Sequence, residues 1–418
     1  MRILVSTDAF PPNCGGSGWS TYELVKTLRA RGHYVAVSRP HFGTSGAHPL
    51  TMYDGFAVRE YKAWAPPVPF VRNYFTNERL YGRYARELGE IIRQEQIDVV
   101  HAQHFLSSPA SVLAARMEDR AVVCTVRDYW PLCYWSNLIH DPKATGLCPA
   151  CTPLMMTRCI RPRARWAWPL ALPVIPYMRR NLVGKRRALG RADAIIAVST
   201  AIASDLRTRT SDLQGTRVEV IPNPVDVEGI RAETTDDGPP LSEPYAVYVG
   251  KLAQNKGAKR LIPAIVRARL RWPVVVVGDG PQRMEVSAEA ARSNVDVRFQ
   301  GWLPRVEALH WLKYASVLIF PSHGPESLSR VLLEAAVLGV PTAAMDTGGT
   351  RDIVKHEETG LLSKTSEGLG DDVRRLSEDR ELRRRLSEGA RDRVERQFAA
   401  PVVVDRIEAL YRNVVRRR

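Results

Sequence analysis

Short apolar runs alternate with longer amphipathic segments along almost the whole chain, and this rhythm constrains the fold more than any other feature. The apolar runs of the first half are residues 3–6, 34–37, 99–101, 121–126 and 194–198. Those of the second half are residues 245–249, 274–277, 295–299, 317–320 and 342–344. Strands that alternate with helices build parallel sheets with helices on both faces. The sequence therefore predicts an α/β protein with parallel sheets.

A chain of 418 residues is too long for one ordinary hydrophobic core, so we expect two Rossmann-like α/β domains. An acidic stretch rich in glycine and proline is the predicted linker, residues 222–244. It separates an N-terminal domain, residues 1–221, from a C-terminal domain, residues 245–398. Residues 130–190 are predicted to be an insertion in the first domain, and residues 399–418 a helix that returns to that domain.

The formal net charge of +15 is concentrated in one segment. Between Pro142 and Ala192 there is no Asp or Glu, and eleven Lys and Arg side chains supply most of the excess charge. Within this segment, the stretch from Trp166 to Met178 is aromatic, apolar and rich in proline, which suits the interface of an anionic bilayer. We expect residues 158–191 to contact the inner face of the cell membrane. The alternative is an apolar loop buried between the domains.

The chain has no run of about 18 apolar residues, and its N-terminus lacks the apolar core and cleavage site of a secretory signal. We therefore expect a cytoplasmic protein that associates with the membrane peripherally. Nucleic acid is not expected as a partner, because the aromatic residues of the basic segment accompany apolar residues rather than a polar stacking groove.

The segment from residue 321 to residue 341 follows an apolar strand and carries the most chemical information. Ser327 is a candidate cap at its start, and Gly339 with Pro341 ends it, so we predict a helix over residues 327–338. A helix that begins at the carboxyl edge of a parallel sheet offers free N–H groups and a positive dipole to phosphate. We expect a diphosphate to bind there, at the backbone of Ser327 and Leu328.

Two carboxylates flank the start of this predicted helix. Glu326 lies in the loop just before it, and Glu334 lies two turns further along. The spacing lets the two side chains reach along an extended ligand, so one can hold sugar hydroxyls and the other ribose hydroxyls. The alternative is that both are solvent-facing helix residues.

A second segment, residues 249–257, joins a strand to a helix through a glycine and two lysines. The departure of a nucleoside diphosphate develops negative charge that a protein can neutralise with preorganised cations. We expect Lys251 and Lys256 to serve this purpose, and Gly250 to belong to the same donor-binding site. The alternative is that Lys251 and Lys256 are ordinary surface lysines.

The loop of residues 11–18 joins the first strand to the first helix and contains three glycines, including Gly16, that let a ligand approach the backbone. It is not a dinucleotide fingerprint, because the third glycine of that motif is absent, and the chain has no Gly-x4-Gly-Lys loop. His101, His104 and Asp128 follow buried strands at the same predicted edge. For both histidines a purely structural role is an open alternative.

The chain resembles the family-4 retaining glycosyltransferases. The Glu-x7-Glu arrangement of Glu326 and Glu334 is similar to the signature of that family. Further matching segments are Val277-Gly-Asp-Gly-Pro281, Phe320-Pro-Ser322 and Gly348-Gly349. The resemblance implies the GT-B fold, in which two doubly wound domains face each other across a cleft, and a nucleotide diphosphate sugar as donor. It also implies that Glu334 binds ribose, that Glu326 contacts the donor sugar and that Gly16 faces the donor phosphates.

Two positions depart from the pattern of that family. Lys251 stands where Arg is usual, so the charge is kept but the bidentate geometry is lost. Arg127 stands where related enzymes carry His, which leaves Arg127 or Asp128 as candidates for contact with acceptor or sugar. The resemblance implies attack on the same face as the leaving phosphate, with no catalytic metal, and we assign no general base.

Four cysteines of the insertion have the spacing C-x14-C-x2-C-x7-C. In a reducing compartment such a cluster suggests a structural zinc site, formed by Cys133, Cys148, Cys151 and Cys159. The alternative is that they are unliganded buried thiols. Some family-4 members with an Asp-Tyr-Trp-x-x-Cys segment resemble this insertion.

These observations predict a retaining hexosyltransferase. The expected acceptor is a membrane-associated, lipid-linked glycan of cell-surface polysaccharide or glycolipid synthesis. The alternatives are another GT-B enzyme, such as a phosphorylase or a nucleotide-sugar epimerase, and a zinc-containing nucleic-acid-binding protein.

Overall fold

The computed structural model describes residues 1–12, 14–42, 50–68, 71–141, 147–234, 238–322 and 324–417. Asn13 of the glycine loop, residues 142–146 of the predicted insertion, residues 235–237 of the predicted linker and His323 of the carboxylate segment therefore lie outside the described residues. The chain divides into two compact units. Unit 1 is Met1–Pro224 together with Ala400–Arg418, and unit 2 is Val225–Ala399.

The strands described in unit 1 form one sheet of order β3-β4-β2-β1-β5-β6-β7-β8. They are β1 (Arg2–Ser6), β2 (Tyr34–His41), β3 (Leu50–Tyr53), β4 (Phe56–Lys62), β5 (Val99–Ala102), β6 (Ala121–Val126), β7 (Ala194–Ala197) and β8 (Val218–Val220). All neighbours pair in parallel except β3, which is antiparallel to β4. The sequence prediction missed this hairpin. Its signal is Asp54-Gly55, whose positive φ angles of 46° and 70° fit a two-residue hairpin turn.

The helices of unit 1 cover both faces of this sheet. They are α1 (Gly16–Ala30), α2 (Val71–Thr76), α3 (Glu78–Gln94), α4 (Ser107–Met117), α5 (Pro153–Ala164), α6 (Val174–Leu189), α7 (Thr200–Arg209) and α16 (Ala400–Arg416), with 3-10 turns at Arg165–Ala171 and Ser211–Leu213. The last helix, α16, packs in the core of unit 1 through Val403, Ile407 and Tyr411. Because α16 buries apolar side chains against strands near the N-terminus, the two ends of the chain stabilise the same unit.

The strands described in unit 2 form a parallel sheet of order β11-β10-β9-β12-β13-β14. They are β9 (Ala246–Val249), β10 (Val274–Val277), β11 (Val297–Gly301), β12 (Val317–Phe320), β13 (Thr342–Met345) and β14 (Leu361–Ser363). The helices are α8 (Val227–Glu233), α9 (Ala258–Ala268), α10 (Arg283–Arg292), α11 (Arg305–Lys313), α12 (Arg330–Leu338), α13 (Thr350–Ile353), α14 (Ser366–Glu378) and α15 (Arg380–Gln397), with a 3-10 turn at Gln254–Lys256.

Strand order reverses once in each sheet, and this reversal positions the candidate site. In unit 2 the reversal lies between β9 and β12, and in unit 1 it lies between β1 and β5. Ligands of open α/β sheets bind in the crevice outside the carboxyl ends of such strands. Strand β10, Val274–Val277, is buried along its whole length. A strand that is covered on both faces is apolar at every position, so its sequence predicts it as a continuous apolar run.

Part of the predicted linker is structured. Asp226 caps α8 by accepting a hydrogen bond from the Gly229 N–H, at 2.9 Å, and Val225 N–H donates to the Phe398 carbonyl, also at 2.9 Å. Residues from Val225 onward therefore belong to unit 2.

Candidate active site

The carboxyl ends of β9 and β10 come very close together in unit 2. Gly250 follows β9 with φ 154°, and Gly278 follows β10 with φ 136°. A Cβ atom on Gly278 would lie 2.0 Å from the Gly250 carbonyl oxygen, and one on Gly280 would lie 2.4 Å from that of Leu252. Only glycine permits this approach. The motif Val277-Gly-Asp-Gly-Pro281 thus fixes the backbone beside Gly250 and Lys251.

Lys256 and Glu326 form an ion pair at the switch point of unit 2. The Lys256 ammonium donates to both carboxylate oxygens of Glu326, at 2.8 Å and 3.0 Å. Ser322, which follows β12, donates its hydroxyl to the same carboxylate. The Glu326 side chain is 8% exposed and that of Lys256 is 34% exposed. The carboxylate therefore lies inside and holds a cation that still reaches solvent.

The glycine pair Gly348-Gly349 supports the backbone of Glu326. Gly349 N–H donates to the Glu326 carbonyl at 2.7 Å, and Gly348 has φ 53°. A Cβ atom on Gly348 would lie 2.1 Å from that carbonyl oxygen. The close approach and the positive φ angle explain why residue 348 is a glycine.

The helix that was predicted over residues 327–338 begins later, at Arg330, and Ser329 rather than Ser327 is its N-cap residue. Ser327 and Leu328 lie in a bend before the helix. The prediction of the helix start was wrong because the preceding loop is held by the backbone hydrogen bond of Glu326, so the chain can turn into the helix only after this contact. Ser329 itself makes no side-chain capping bond.

Glu334 lies one turn inside α12 and is paired with two arginines. Its Oε1 atom accepts from Arg305 Nη1 at 2.5 Å and from Arg330 Nε at 3.0 Å. All three side chains are only 10–12% exposed. Glu334 is thus neither an ordinary solvent-facing residue nor free to rotate. The pairing with Arg305, which is 29 residues away, could not be predicted from the sequence.

Lys251 follows Gly250 and is exposed. Its carbonyl oxygen accepts from the Tyr248 hydroxyl at 2.9 Å, which fixes the backbone of the loop. No ion pair of its ammonium occurs in the described parts of the chain. Lys251 therefore presents an exposed positive charge at the carboxyl edge of β9.

In unit 1, Arg127 supports the glycine loop rather than an open surface. Its guanidinium donates to the Ser17 carbonyl at 2.7 Å, to the Thr21 hydroxyl at 2.9 Å, and to the Gln103 side-chain oxygen. It is 8% exposed. These bonds tie the end of β6 to the start of α1, where Gly16 is exposed. Arg127 therefore has a structural role, because its hydrogen bonds hold these elements together.

Asp8 and Asp128 are two carboxyl groups at the carboxyl edge of unit 1. Burial raises the pKa of Asp8 to about 6, although its carboxylate accepts from the N–H groups of Leu106 and Ser107, each at 2.9 Å. Burial, with the charge of Asp8 adding to it, raises the pKa of Asp128 to about 7. A carboxyl group with such a pKa can exchange a proton near neutral pH.

Lys185 from α6 lies within electrostatic range of both carboxyl groups. Its side chain is buried, and burial lowers its pKa to about 8, while Glu78, Asp128 and Asp8 oppose that shift. Neither Asp8 nor Lys185 was predicted from the sequence to be a site residue. Asp8 lies two residues after the end of β1, at the switch point, and this position could have identified it from the sequence. Nothing in the sequence places Lys185 there.

The two histidines differ in their roles. His101 is fully buried, with Nδ1 bonded to the Tyr411 hydroxyl at 2.5 Å and Nε2 to the Thr125 hydroxyl at 2.7 Å. It is therefore a structural residue that anchors α16. His104 bonds the Thr7 hydroxyl through Nδ1 at 2.9 Å, and its buried Nε2 has no hydrogen-bond partner among the residues with described positions. Burial lowers the pKa of His104, so it is neutral.

The structure does not support the predicted zinc site. Cys133, Cys148, Cys151 and Cys159 are free thiols, and across the described residues no group of three or more His, Cys, Asp or Glu side chains is arranged to hold a metal ion. Burial raises the pKa of Cys148 and Cys151, and that of Cys159 to about 12. Zinc binds thiolates, whereas these environments favour protonated thiols.

The basic segment of unit 1 carries exposed apolar side chains. Trp166 is 86% exposed, Leu170 is 79% exposed and Leu154 is 64% exposed. No helix in the described ranges combines the length and the apolar character needed to cross a bilayer.

Two parallel-sheet α/β units, with a lysine-lined loop and a helix start at the switch point of unit 2, define the GT-B class, as the sequence predicted. The model of Glycosyltransferase Family 4 matches residues 14–228, and that of Glycosyl transferases group 1 matches residues 231–393. The chain belongs to Glycosyltransferase Family 4 and is a glycosyltransferase.

Several curated relatives and solved structures match most or all of the chain. The N-acetyl-alpha-D-glucosaminyl L-malate synthase of Bacillus anthracis is 23% identical, over 100% of this chain and 98% of that protein. A GDP-mannose-dependent alpha-mannosyltransferase of Mycolicibacterium smegmatis is 27% identical, over 87% and 84%. The structure of Anabaena HepE in complex with UDP has a TM-score of 0.67 at 17% identity and covers 99% of this chain and 100% of that chain. These matches favour a glycosyltransferase over the alternatives, which were a phosphorylase, a nucleotide-sugar epimerase and a nucleic-acid-binding protein.

Proposed function

We propose that the protein transfers a hexose from a nucleotide diphosphate sugar, with retention of anomeric configuration and without a catalytic metal, to a membrane-associated, lipid-linked glycan acceptor. The observation that carries this proposal is the position of Lys256. Its ammonium is held by a buried carboxylate at the switch point of unit 2 and remains partly exposed there. A nucleotide sugar as donor is also consistent with relatives whose names specify GDP-mannose or whose structures contain UDP.

The donor diphosphate would bind between Lys251, Lys256 and the backbone before α12. An ammonium group has three donors, and Glu326 uses two of those of Lys256, so the third is available to a phosphate oxygen. Ser327 and Leu328 supply N–H groups next to the helix start. As the glycosidic bond to the diphosphate breaks, these fixed cations stabilise the charge that develops on the leaving oxygens.

Glu334 is the proposed ribose ligand. Arg305 and Arg330 hold its carboxylate in one orientation, so it loses little further side-chain freedom when it accepts hydrogen bonds from two ribose hydroxyls. Glu326 would contact the donor sugar while it orients Lys256. The leaving phosphate would accept the proton of the acceptor hydroxyl, which is consistent with the same-face attack expected for the family.

Unit 1 would bind the acceptor. Asp128 is proposed to contact the acceptor hydroxyl, and Gly16 at the start of α1 to face the donor phosphates. The basic segment with exposed Trp166 and Leu170 would bring the enzyme to anionic lipid, where a lipid-linked acceptor resides.

Thermal unfolding in a panel of nucleotides and nucleotide sugars tests the donor site, because a ligand that binds only the folded state raises the unfolding midpoint. We expect one nucleoside diphosphate series to raise the midpoint, and Lys256→Gln to abolish most of that shift. Lys259→Gln is the matched control, since Lys259 makes an exposed ion pair with Glu285. A full shift in Lys256→Gln would refute the site.

Glu334→Ala tests the ribose contact separately. We expect this variant to lose the nucleotide-induced shift, whereas Glu378→Ala, an exposed residue at the end of α14, should keep it. The anomeric configuration of the product, read by NMR, and the activity that remains after EDTA treatment test retention and metal independence. An inverted product or complete loss of activity with EDTA would contradict those parts of the proposal.

A further inference from the structure

A large groove lies in unit 1, and all of its lining residues belong to that unit. It has a volume of about 920 Å³ and runs between α6, α4 and the start of α3. This volume is within the range of ligand sites for small molecules. Neither the donor chemistry nor the acceptor hydroxyl contact described above uses it.

The floor of the groove is apolar. Val112 and Leu113 contribute from α4, and Ile175, Val183 and Ala188 contribute from α6. Val112 is buried, at 2% exposure. A floor of this kind favours hydrocarbon over a sugar or a nucleotide, because burying hydroxyl groups without hydrogen bonds is costly.

The rim of the groove is cationic. Arg179, Arg180, Arg187 and Arg191 line it, and all four are exposed. The one carboxylate of the lining residues, Glu78, already accepts hydrogen bonds from the Tyr177 hydroxyl at 2.8 Å and from the Asn181 amide at 2.7 Å. The rim therefore offers guanidinium groups to an anion, and guanidinium pairs well with phosphate.

The inner end of the groove is polar and close to the carboxyl edge of the sheet. Asn181 and Lys185 line it, and both are buried. The Asn181 Oδ1 atom has no hydrogen-bond partner within the part of the chain that the structure describes. Lys185 interacts electrostatically with Asp8 and Asp128. A ligand in the groove would thus lie beside the proposed acceptor-contacting carboxyl group.

We propose that this groove binds a lipid phosphate, with its hydrocarbon chain on the apolar floor and its phosphate or diphosphate at the arginine rim. The inference rests on the proposed function, because it makes the lipid of the acceptor a directly recognised part of the substrate. A second copy of the chain is a poor occupant, since it would bring two arginine rims together.

A substitution at Gly184 tests whether the groove binds hydrocarbon without disturbing the fold. Gly184 lines the groove in the middle of α6, and a Cβ atom added to it has no heavy atom within 4 Å. Gly184→Leu therefore places a side chain in the groove, and it also improves helix propensity. Gly82 in α3 has equally open surroundings but does not line the groove, so Gly82→Leu is the matched control.

The binding experiment uses hexyl, octyl and decyl phosphate below their micelle concentrations, with inorganic phosphate as the anion reference, in isothermal titration calorimetry. Each buried methylene contributes about 0.8 kcal/mol, so two more methylenes should tighten binding roughly tenfold. We expect Gly184→Leu to weaken decyl phosphate binding at least about tenfold, with Gly82→Leu unchanged. Arg180→Gln combined with Arg187→Gln should weaken the whole series and leave its dependence on chain length intact.

Two results would overturn the proposal. Equal affinity for inorganic phosphate and decyl phosphate would show that the groove binds only the anion. Unaltered binding of decyl phosphate by Gly184→Leu would show that the alkyl group does not lie in the groove. The nucleotide-induced shift, measured on the same samples, separates this outcome from failure of the donor site. If the protein binds nucleotide but its affinity for alkyl phosphates does not depend on alkyl length, only the groove proposal is refuted. If the affinity depends on alkyl length but no nucleotide binds, only the donor proposal is refuted.

Discussion

Asp128→Asn should make the folded protein more stable at neutral and alkaline pH. The replacement has the same shape and keeps an oxygen that can accept from the Trp130 N–H, which donates to the Asp128 Oδ1 atom at 2.8 Å. It removes a charge that burial disfavours. The pKa of Asp128 is about 7 in the folded protein against an ordinary value of 3.8, so ionisation costs the folded state free energy that the unfolded chain does not lose.

The magnitude follows from the pKa difference. At about 1.4 kcal/mol for each pKa unit, the difference corresponds to about 4 kcal/mol above pH 7. Asp128 keeps some exposure, and water screens part of its charge, so we expect a gain of about 1–4 kcal/mol in the free energy of unfolding at pH 8.

The sign depends on pH in a defined way. Because the folded pKa is raised, the wild type is most stable relative to the variant below pH 4, where both folded and unfolded chains carry the proton. The wild type then loses stability as the pH rises from about 4 to 7. The gain in Asp128→Asn should therefore be close to zero at pH 4 and complete above pH 7.

Urea unfolding between pH 4 and pH 8, followed by circular dichroism, measures this difference. Asp405→Asn is the control, because Asp405 is 70% exposed in its pair with Arg31 and its loss should change stability by less than about 1 kcal/mol. An equal effect of Asp128→Asn at pH 4.5 and pH 8 would refute the reasoning. If Asp128 contacts the acceptor hydroxyl as proposed, the more stable variant should also be less active.

Three further predictions concern single contacts. Gly348→Ala should destabilise unit 2 by about 2 kcal/mol or more and reduce the nucleotide-induced thermal shift, because its φ is 53° and its Cβ would meet the Glu326 carbonyl; a wild-type urea midpoint would contradict this. Tyr411→Phe should cost about 1–3 kcal/mol by leaving buried His101 Nδ1 unpaired, with nucleotide binding unchanged, and equal stability would speak against the bond. Trp166→Ser should weaken binding to anionic vesicles about tenfold without changing the unfolding midpoint, and undiminished flotation would remove Trp166 from the membrane contact.

The alternation of apolar and amphipathic segments predicted ten of the fourteen described strands, because parallel strands covered on both faces are apolar along their length. It missed β3, β4, β8 and β14. The boundaries near the site were harder to predict. The start of α12 shifted from Ser327 to Arg330 because a contact with Gly349 holds Glu326, and such a contact joins residues far apart in sequence. For the same reason the sequence identified Glu326 and Lys256 as separate candidates but could not show that they pair.

The prediction of a zinc site at the four cysteines failed for a different reason. Spacing alone suggested zinc, but spacing says nothing about which way four thiols point or whether their surroundings favour thiolates. In the structure burial raises the pKa of Cys148, Cys151 and Cys159, and Cys148 donates its S–H to the Ala150 carbonyl at 3.4 Å. A ligand pattern predicts a metal only when the chain also brings the ligands together and keeps them deprotonated.

Asp8, Asp128 and Lys185 connect the two proposals within unit 1. Burial opposes ionisation at all three groups, so the cluster costs stability that an apolar packing would not. Groups that are retained at such a cost are typical of functional sites. Lys185 lines the groove and also interacts with both carboxyl groups, so a ligand that fills the groove would change the surroundings of the ammonium and, through it, the balance of charge on Asp128. Binding of the lipid would thereby be coupled to the protonation of the acceptor-contacting carboxyl group, because both depend on the same buried cation.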